Sequence, residues 1–282
     1  MKPRLVAGAA ACLATFSILT GLQLHAQGSG SNPPARQSAS PSTNSTQEPL
    51  SPKDMQVERA KIYMATKRYE QAIETYQQLS KSEPRNAQYL NMIGIAYLNL
   101  TNLNQAQRYF ERAVKVDKKY FSALNNLGMV WYEQRNYRRA IREYQRAVVI
   151  APGEASVYAN LGYAYYHSKK DVEAGGAFRK ALQLDPHVFE HTSGGVGSLV
   201  QDRTVADHGH FFFIMAREYA QLGDAEHCAE YLRKSADEGY KDVVKAKTDP
   251  AFAKVVSDPA IQDFFLRISP GAPKSDSAPP GA

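Results

Sequence analysis

Residues that could bind a metal ion or a phosphate group are concentrated between positions 187 and 210. The candidates are His187, His191, Gly194, Gly195, Gly197, Asp202, His208 and His210. A zinc site needs three or four ligands about 2 Å from the ion, but no cysteine pair accompanies these histidines and their spacing matches no strong metal motif. The glycines lack the Gly-Lys-Ser/Thr ending of a phosphate-binding loop. We therefore predict that residues 187–208 are a Gly/His loop insertion without a metal or cofactor; a ligand- or metal-sensing module is the alternative.

Catalytic chemistry is not indicated elsewhere in the chain. No nucleophile, base and orienting acid stand at spacings that predict a catalytic site, and the carboxylates lie mainly on the polar stripes of helical patterns. We therefore predict that the protein is not an enzyme. The two cysteines are Cys12 and Cys228, and removal of an N-terminal signal would leave Cys228 alone, so no disulfide could form within the mature chain.

One residue pattern returns every 34 residues between Ala87 and Pro186. The recurring sets are Gly94, Gly128 and Gly162; Tyr97, Trp131 and Tyr165; Ala106, Ala140 and Ala174; Phe110, Tyr144 and Phe178; and Ala113, Ala147 and Ala181. Each unit carries two apolar stripes of helical period, which predicts a pair of helices. Glycine and alanine are small where the two helices cross, and the aromatic side chains fill the space beside them. One such pair cannot bury its own apolar face, so the pairs must stack.

This pattern resembles the tetratricopeptide repeat. In the third unit the matching residues are Leu127, Gly128, Trp131, Ala140, Tyr144, Ala147 and Pro152. The resemblance implies an all-α fold, a right-handed α-solenoid of helix-turn-helix repeats, whose first helices line a concave groove that holds extended peptides or helices. It covers four repeats, at 53–86, 87–120, 121–154 and 155–188, of which the first is weaker because Ala60 replaces the glycine.

The pattern resumes imperfectly after the insertion. Residues 209–240 form a degenerate fifth repeat if the phase is shifted by about 20 residues, and Cys228 then stands where the other repeats carry a buried alanine. Asp249 and Asp258 each precede a proline, which is typical of a helix start. We therefore predict short helices near 250–256 and 259–268, within a helical cap at 241–268 that covers the end of the stack. Residues 269–282 are predicted to be a disordered tail.

The N-terminal 26 residues have the anatomy of a secretory signal. Lys2 and Arg4 precede an apolar run from Leu5 to Leu24, and a polar stretch follows Ala26. Export to a periplasmic or secreted location is therefore predicted. An uncleaved anchor that leaves the protein facing outside the cytoplasm is the alternative, since the run would be about 30 Å long as a helix. Residues 27–52 are predicted to be a disordered linker that spans roughly 25–30 Å.

The positive charge does not predict a nucleic-acid partner. The net charge is +6, and the densest basic group, formed by five arginines between Arg135 and Arg146, is interleaved with Glu143 and with apolar positions. Such interleaving indicates the solvated outer side of a helix. We predict contact with a membrane only through an uncleaved N-terminal segment.

Residues of the first helices that the core does not need are candidates for contact with a partner. The candidates are Asn91, Ile95, Leu98, Asn125, Asn126, Met129, Tyr132, Asn160, Tyr163 and Tyr166. The asparagines are similar to a ladder with which some tetratricopeptide-repeat proteins grip a peptide backbone; alternatively, they satisfy helix ends or bind water. Because Lys61 alone is basic at the matching positions, the groove is predicted to be neutral and partly aromatic. We predict an exported scaffold or adaptor for a protein or peptide segment, and a self-associating envelope spacer is a further alternative.

Overall fold

A computed structural model describes residues 50–189 and 208–268, and the regular elements in these ranges are helices. The α-helices are α1 (Pro52–Ala65), α2 (Tyr69–Ser82), α3 (Ala87–Asn99), α4 (Leu103–Val116), α5 (Phe121–Glu133), α6 (Tyr137–Ile150), α7 (Ala155–His167), α8 (Asp171–Leu184), α9 (His208–Leu222), α10 (Ala225–Asp237) and α11 (Pro259–Ile268). Segments Lys241–Lys247 and Pro250–Phe252 are 3₁₀-helical. The predictions for the signal, most of the linker, the tail and residues 190–207 lie outside the described residues.

The helices pack in sequence as five pairs. Within a pair the two helices contact each other, from α1 with α2 to α9 with α10, and the second helix of each pair contacts the first helix of the next. Among the first helices, α3 also contacts α5, and α5 contacts α7. This arrangement confirms the predicted all-α solenoid. None of the described helices is both long and apolar enough to cross a bilayer.

The 34-residue period reflects one contact that is repeated in the second, third and fourth pairs. A Cβ atom added to Gly94 would lie 2.5 Å from Cε1 of Phe110, and one added to Gly128 would lie 2.6 Å from Cε1 of Tyr144. Both rings are completely buried. The glycines therefore allow the paired helices to approach until the ring of the second helix lies against the backbone of the first.

The turns inside the pairs also repeat, through a feature that the sequence analysis did not predict. The second residue after the end of the first helix has a positive φ in four successive pairs. These residues are Lys67 (59°), Thr101 (58°), Arg135 (58°) and Lys169 (59°). In the third pair, the next backbone N–H, that of Asn136, donates to the carbonyl of Trp131 at 2.8 Å. This left-handed C-terminal turn satisfies a free carbonyl at the helix end. It fixes the direction of each second helix, although none of the four residues is glycine.

The fifth pair is held against the fourth by a buried carboxylate. Glu218 of α9 is only 4% exposed, and its Oε2 lies 2.9 Å from Nε of Arg179 on α8. Gly175 leaves the space that this side chain occupies. Burial raises the pKa of Glu218, and the neighbouring Arg179 and Arg217 oppose that rise. The displaced fifth pair thus continues the stack through a charged contact rather than through the repeat pattern alone.

Cys228 is fully buried in this fifth pair, as its place in the pattern predicts. Burial is the main cause that raises the pKa of its thiol to about 12. At neutral pH the thiol therefore remains protonated, and since the thiolate is the reactive form, the residue serves as a small apolar side chain in the helix crossing.

The C-terminal segment covers the end of the stack, but its first part differs from the prediction. A helix was expected near 250–256, whereas the structure has only a 3₁₀ turn over Pro250–Phe252 followed by irregular turns, and α11 begins at Pro259. The prediction of a continuous first helix is therefore wrong. Phe252 and Val255 are both buried, and Asp258 caps the following segment by accepting from the N–H of Ala260 at 2.9 Å. Phe252 and Val255 thus enter the core from the 3₁₀ turn and the irregular turns that follow it.

Tyr144 provides a prediction about this core. Its hydroxyl is completely buried and has no hydrogen-bond partner among the described residues, and burial raises its pKa well above the ordinary value. Phe110 and Phe178 occupy the same position in the neighbouring repeats. We expect Tyr144→Phe to raise the free energy of unfolding by about 1 kcal/mol, because a buried hydroxyl without a partner is costly. Urea denaturation measures the change, with the half-buried Tyr158→Phe as the control; a loss of stability in Tyr144→Phe would contradict the assignment.

Candidate peptide-binding site

The row formed by the first helices α3, α5 and α7 is the candidate site, and we call it the inner face. These three helices contain no lysine or arginine, and Glu133 is their one carboxylate. The second helices α4 and α6 are instead rich in arginine. The two sides of the same repeats therefore differ strongly in charge, and the inner face is the apolar and amide-bearing side.

The predicted asparagines form hydrogen-bonded pairs with one another. Nδ2 of Asn126 donates to Oδ1 of Asn91 at 3.0 Å, and Nδ2 of Asn160 donates to Oδ1 of Asn125 at 3.0 Å. All four side chains are buried. The partners are 35 residues apart, one more than the repeat interval, so Asn91 and Asn125 are the acceptors for asparagines of the next repeat. Each pair links two adjacent first helices, which is neither of the two roles expected from the sequence.

Two of the predicted tyrosines are buried rather than available at the surface. Tyr132 is 5% exposed and Tyr166 is 3% exposed. The ring of Tyr132 lies edge-on to those of Tyr137 and His167, and the ring of Tyr166 lies edge-on to that of Phe211. The expectation that these two side chains are not needed by the core is therefore corrected. Both side chains are part of the hydrophobic core.

Four of the predicted residues remain partly accessible on the inner face. Ile95, Leu98, Met129 and Tyr163 are half-buried. Tyr163 is held in place by Phe178 and Phe211, whose ring centroids lie 5.3 and 5.6 Å from its own. Ile95, Met129 and Tyr163 thus present one large, partly exposed apolar side chain per repeat, each on a helix. Contact of these residues with a partner stays a prediction.

His167 is an inner-face residue that the sequence analysis missed. It is half-buried at the end of α7, and its ring stacks on that of Tyr137 at 5.0 Å. The signal that could have found it is the same interval, because Asn99, Glu133 and His167 are 34 residues apart. All three side chains are polar, and each is the last residue of its first helix.

An open cleft lies where the other ends of the first helices meet the loops between repeats. Its volume is about 1000 Å³, and its lining includes Glu83, Arg85, Asn86, Gln88, Asp117 and Tyr120. Nδ2 of Asn91 lies 3.5 Å from the hydroxyl of Tyr120, so the cleft adjoins the first asparagine pair. Burial raises the pKa of Tyr120, which keeps its hydroxyl a neutral hydrogen-bonding group at physiological pH.

The histidines of the insertion are only partly within the described residues. The backbone N–H of His187 donates to Oδ1 of Asp185 at 2.9 Å. Nε2 of His210 lies 3.2 Å from Oδ2 of Asp171 on α8. Across the described ranges, 50–189 and 208–268, no group of three His, Cys, Asp or Glu side chains is placed to hold a metal ion. His191 and Asp202 lie outside these ranges.

Comparison with known proteins agrees with the geometry of the pairs. The family model of the tetratricopeptide repeat matches residues 57–100, 91–155 and 132–188. No sequence among the curated proteins matches the chain significantly.

Several solved structures are similar to the chain. MamA 41-end from Desulfovibrio magneticus RS-1 is 20% identical with a TM-score of 0.49, and the match covers 70% of this chain and 97% of that chain. Pseudomonas aeruginosa pilF is 19% identical with a TM-score of 0.48, over 76% and 89% of the two chains. YrrB, a TPR protein with an unusual peptide-binding site, is 18% identical with a TM-score of 0.46, over 69% and 91%.

The matched repeats, the glycine–ring contacts and the stacked helix pairs lead to one assignment. These repeats form a protein-interaction module. Over residues 57–188 the chain belongs to the tetratricopeptide-repeat family.

Proposed function

We propose that this protein is an exported scaffold that holds an extended segment of a partner protein across its inner face. The observation that carries the proposal is the series of Ile95, Met129 and Tyr163, which gives each of three successive repeats one half-buried apolar side chain. Apolar side chains of this kind anchor a partner when they enter its surface and lose their remaining contact with water.

The rigid spacing of these anchors supports the proposal. The asparagine pairs join α3 to α5 and α5 to α7 by buried hydrogen bonds, so the anchors are held at fixed distances before a partner arrives. A preorganised surface loses less conformational entropy on binding. The absence of lysine and arginine from these three helices favours a segment that is mainly apolar and uncharged, because charged groups would be desolvated without a counter-charge.

Selection of peptides tests the proposal without a known partner. Peptides are selected from a random displayed library on the full-length protein, and their affinity is then measured for Ile95→Ala/Met129→Ala. We expect binding to weaken about 10-fold or more, because truncation of anchoring residues typically costs about 1 kcal/mol or more each. The matched control is Val116→Ala/Val149→Ala, which removes two exposed apolar side chains from the outer helices α4 and α6.

Circular dichroism and thermal melting establish that both variants stay folded. Selected peptides that bind the inner-face variant as tightly as the unaltered protein would contradict the proposal. Equal losses in the inner-face variant and in the control would contradict it as well.

The export part of the proposal rests on residues 1–26 and is tested separately. The mass of the native N-terminus should correspond to a chain that begins at Gln27. A native chain that retains Lys2, Arg4 and the apolar run would identify the anchored form instead.

A further inference from the structure

The outer side of the central repeats carries most of the excess positive charge of the protein. Helices α4 and α6 together contain seven basic and two acidic residues, whereas the full chain has a net charge of +6. The basic residues are Arg108, Arg112 and Lys115 on α4 and Arg138, Arg139, Arg142 and Arg146 on α6. We call this set the outer basic face. The flanking second helices differ, since α2 carries more acidic than basic residues and α8 carries equal numbers.

The arginines of the outer basic face repeat with the solenoid. Arg108 and Arg142 are 34 residues apart, as are Arg112 and Arg146, so each pair occupies the same position on successive repeats. All seven basic side chains are exposed. The face is therefore a repeating array of exposed cationic groups, mostly guanidinium, that extends over two successive repeats.

Few of these charges are neutralised within the described part of the chain. Arg146 pairs with Glu143. Arg112 lies over the ring of Tyr109 at 4.9 Å, and Arg139 lies over the ring of Trp131 at 4.5 Å. Arg108, Arg142 and Lys115 form no ion pair or hydrogen bond with another described residue. These three cations remain available to an external anion.

Two exposed valines lie among the basic residues. Val149 is 81% exposed on α6, and Val116 is 39% exposed on α4. At the helical period of about 100° per residue, Val149 falls between Arg138 and Arg142 on the outward arc of α6. Cations that surround exposed apolar side chains are typical of a helix face that lies at the surface of a membrane.

The extent of the charge and the N-terminal segment both favour a membrane over an acidic protein. The charge extends over two successive second helices, so it matches an anionic surface that spans both repeats. The N-terminal run from Leu5 to Leu24 predicts that the chain enters a bilayer, at least during export.

We infer that the outer basic face binds anionic phospholipid headgroups, which orients the solenoid with its inner face toward the solution. This inference goes beyond the proposed peptide binding and does not depend on it. It also departs from the sequence prediction, which limited membrane contact to an uncleaved N-terminal segment. Each basic side chain near an anionic bilayer raises partitioning about 5-fold, and the attraction weakens with salt. Reversal of two charges should therefore lower partitioning at least about 25-fold.

Vesicle sedimentation of the full-length protein tests the inference. Phosphatidylcholine vesicles are compared with vesicles that contain one-third phosphatidylglycerol, at low salt. The measured quantity is the ratio of the two partition coefficients, because the N-terminal segment contributes to both. The test variant is Arg108→Glu/Arg142→Glu. The matched control is Arg233→Glu/Lys247→Glu, which changes the net charge by the same amount at exposed positions outside α4 and α6.

We expect the ratio of the two partition coefficients to fall at least about 25-fold in the test variant and to stay nearly unchanged in the control. Equal ratios in the unaltered protein and the test variant would overturn the inference, and so would equal losses in the test variant and the control. Vesicles that bind neither protein, while an acidic polypeptide such as polyglutamate binds the unaltered protein alone, would assign the face to an acidic protein partner and would overturn the inference too.

Discussion

Gly94→Val is expected to lower the free energy of unfolding by about 3 kcal/mol, the upper end of the cost of adding atoms to a well-packed core. The Cβ atom alone would lie 2.5 Å from Cε1 of Phe110, and that ring is completely buried. The two γ-carbons of valine would add to this overlap, and valine gains little helix propensity over glycine. The pair α3 and α4 must therefore separate or the ring must leave its position. Urea denaturation followed by circular dichroism measures the change.

Gly176→Val is the matched control for this prediction. Gly176 lies on the exposed side of α8, and no atom stands within 4 Å of an added Cβ. The same substitution should change the stability there by less than about 0.5 kcal/mol. Similar losses at Gly94 and Gly176 would show that the helix crossing does not determine the effect.

The first and fifth repeats indicate how the cost depends on size. Ala60 and Ala216 occupy the position of Gly94 and are fully buried. One additional carbon is thus accommodated where the facing side chain can adjust. Gly94→Ala should therefore cost only about 1 kcal/mol, and a graded series from glycine to alanine to valine separates tight packing from a strict requirement for glycine.

Asn125→Leu is expected to lower the free energy of unfolding by about 1–3 kcal/mol, because it leaves the buried amide of Asn160 without its acceptor. That amide donates to Oδ1 of Asn125 at 3.0 Å, and both side chains are 0% exposed. Asn160→Leu should have a similar effect for the converse reason. The double variant should lose less than the sum of the two, since replacement of both partners by apolar groups removes both ends of this hydrogen bond at once.

Denaturation of the two single variants and the double variant gives the coupling energy of the pair. We expect about 0.5–3 kcal/mol, the range found for residues in direct contact. Asn104→Leu, on the exposed side of α4, serves as the control and should change the stability by less than about 0.5 kcal/mol. Strict additivity of the two single effects would show that the hydrogen bond does not join α5 to α7.

The sequence was sufficient to predict the fold because the strongest signals are local and repeated. Gly128 and Tyr144 occupy the same helix crossing as their counterparts 34 residues away. The prediction of the crossing therefore does not depend on a single residue. The 3₁₀ turn over Pro250–Phe252 was not predicted, because its length depends on where Phe252 and Val255 enter the core. The left-handed residue Arg135 was also missed, since glycine or asparagine is the usual indication of that conformation.

The candidate site was harder to predict because exposure depends on neighbouring repeats. Tyr132 follows Met129 by three positions, and both stand outside the repeat signature. Tyr132 is nevertheless buried, because the rings of Tyr137 and His167 lie against it, whereas Met129 is half-buried. The asparagines illustrate a different difficulty. A period of 34 compares equivalent positions, whereas Asn91 and Asn126 are partners at non-equivalent positions.

This offset between partners makes the order of the repeats matter. The fifth residue of one unit faces the sixth of the next: amide meets amide from the second unit to the third and from the third to the fourth. Val57 and Met92 hold the corresponding places at the first junction, and Ala159 and Ile214 at the last. Apolar residues thus occupy the outer junctions and amides the inner ones. Duplicating the second unit would set Asn91 opposite Met92, and duplicating the fourth would set Ala159 opposite Asn160. Each of these changes places an amide against an apolar side chain, so only certain orders of the repeats keep the pairing.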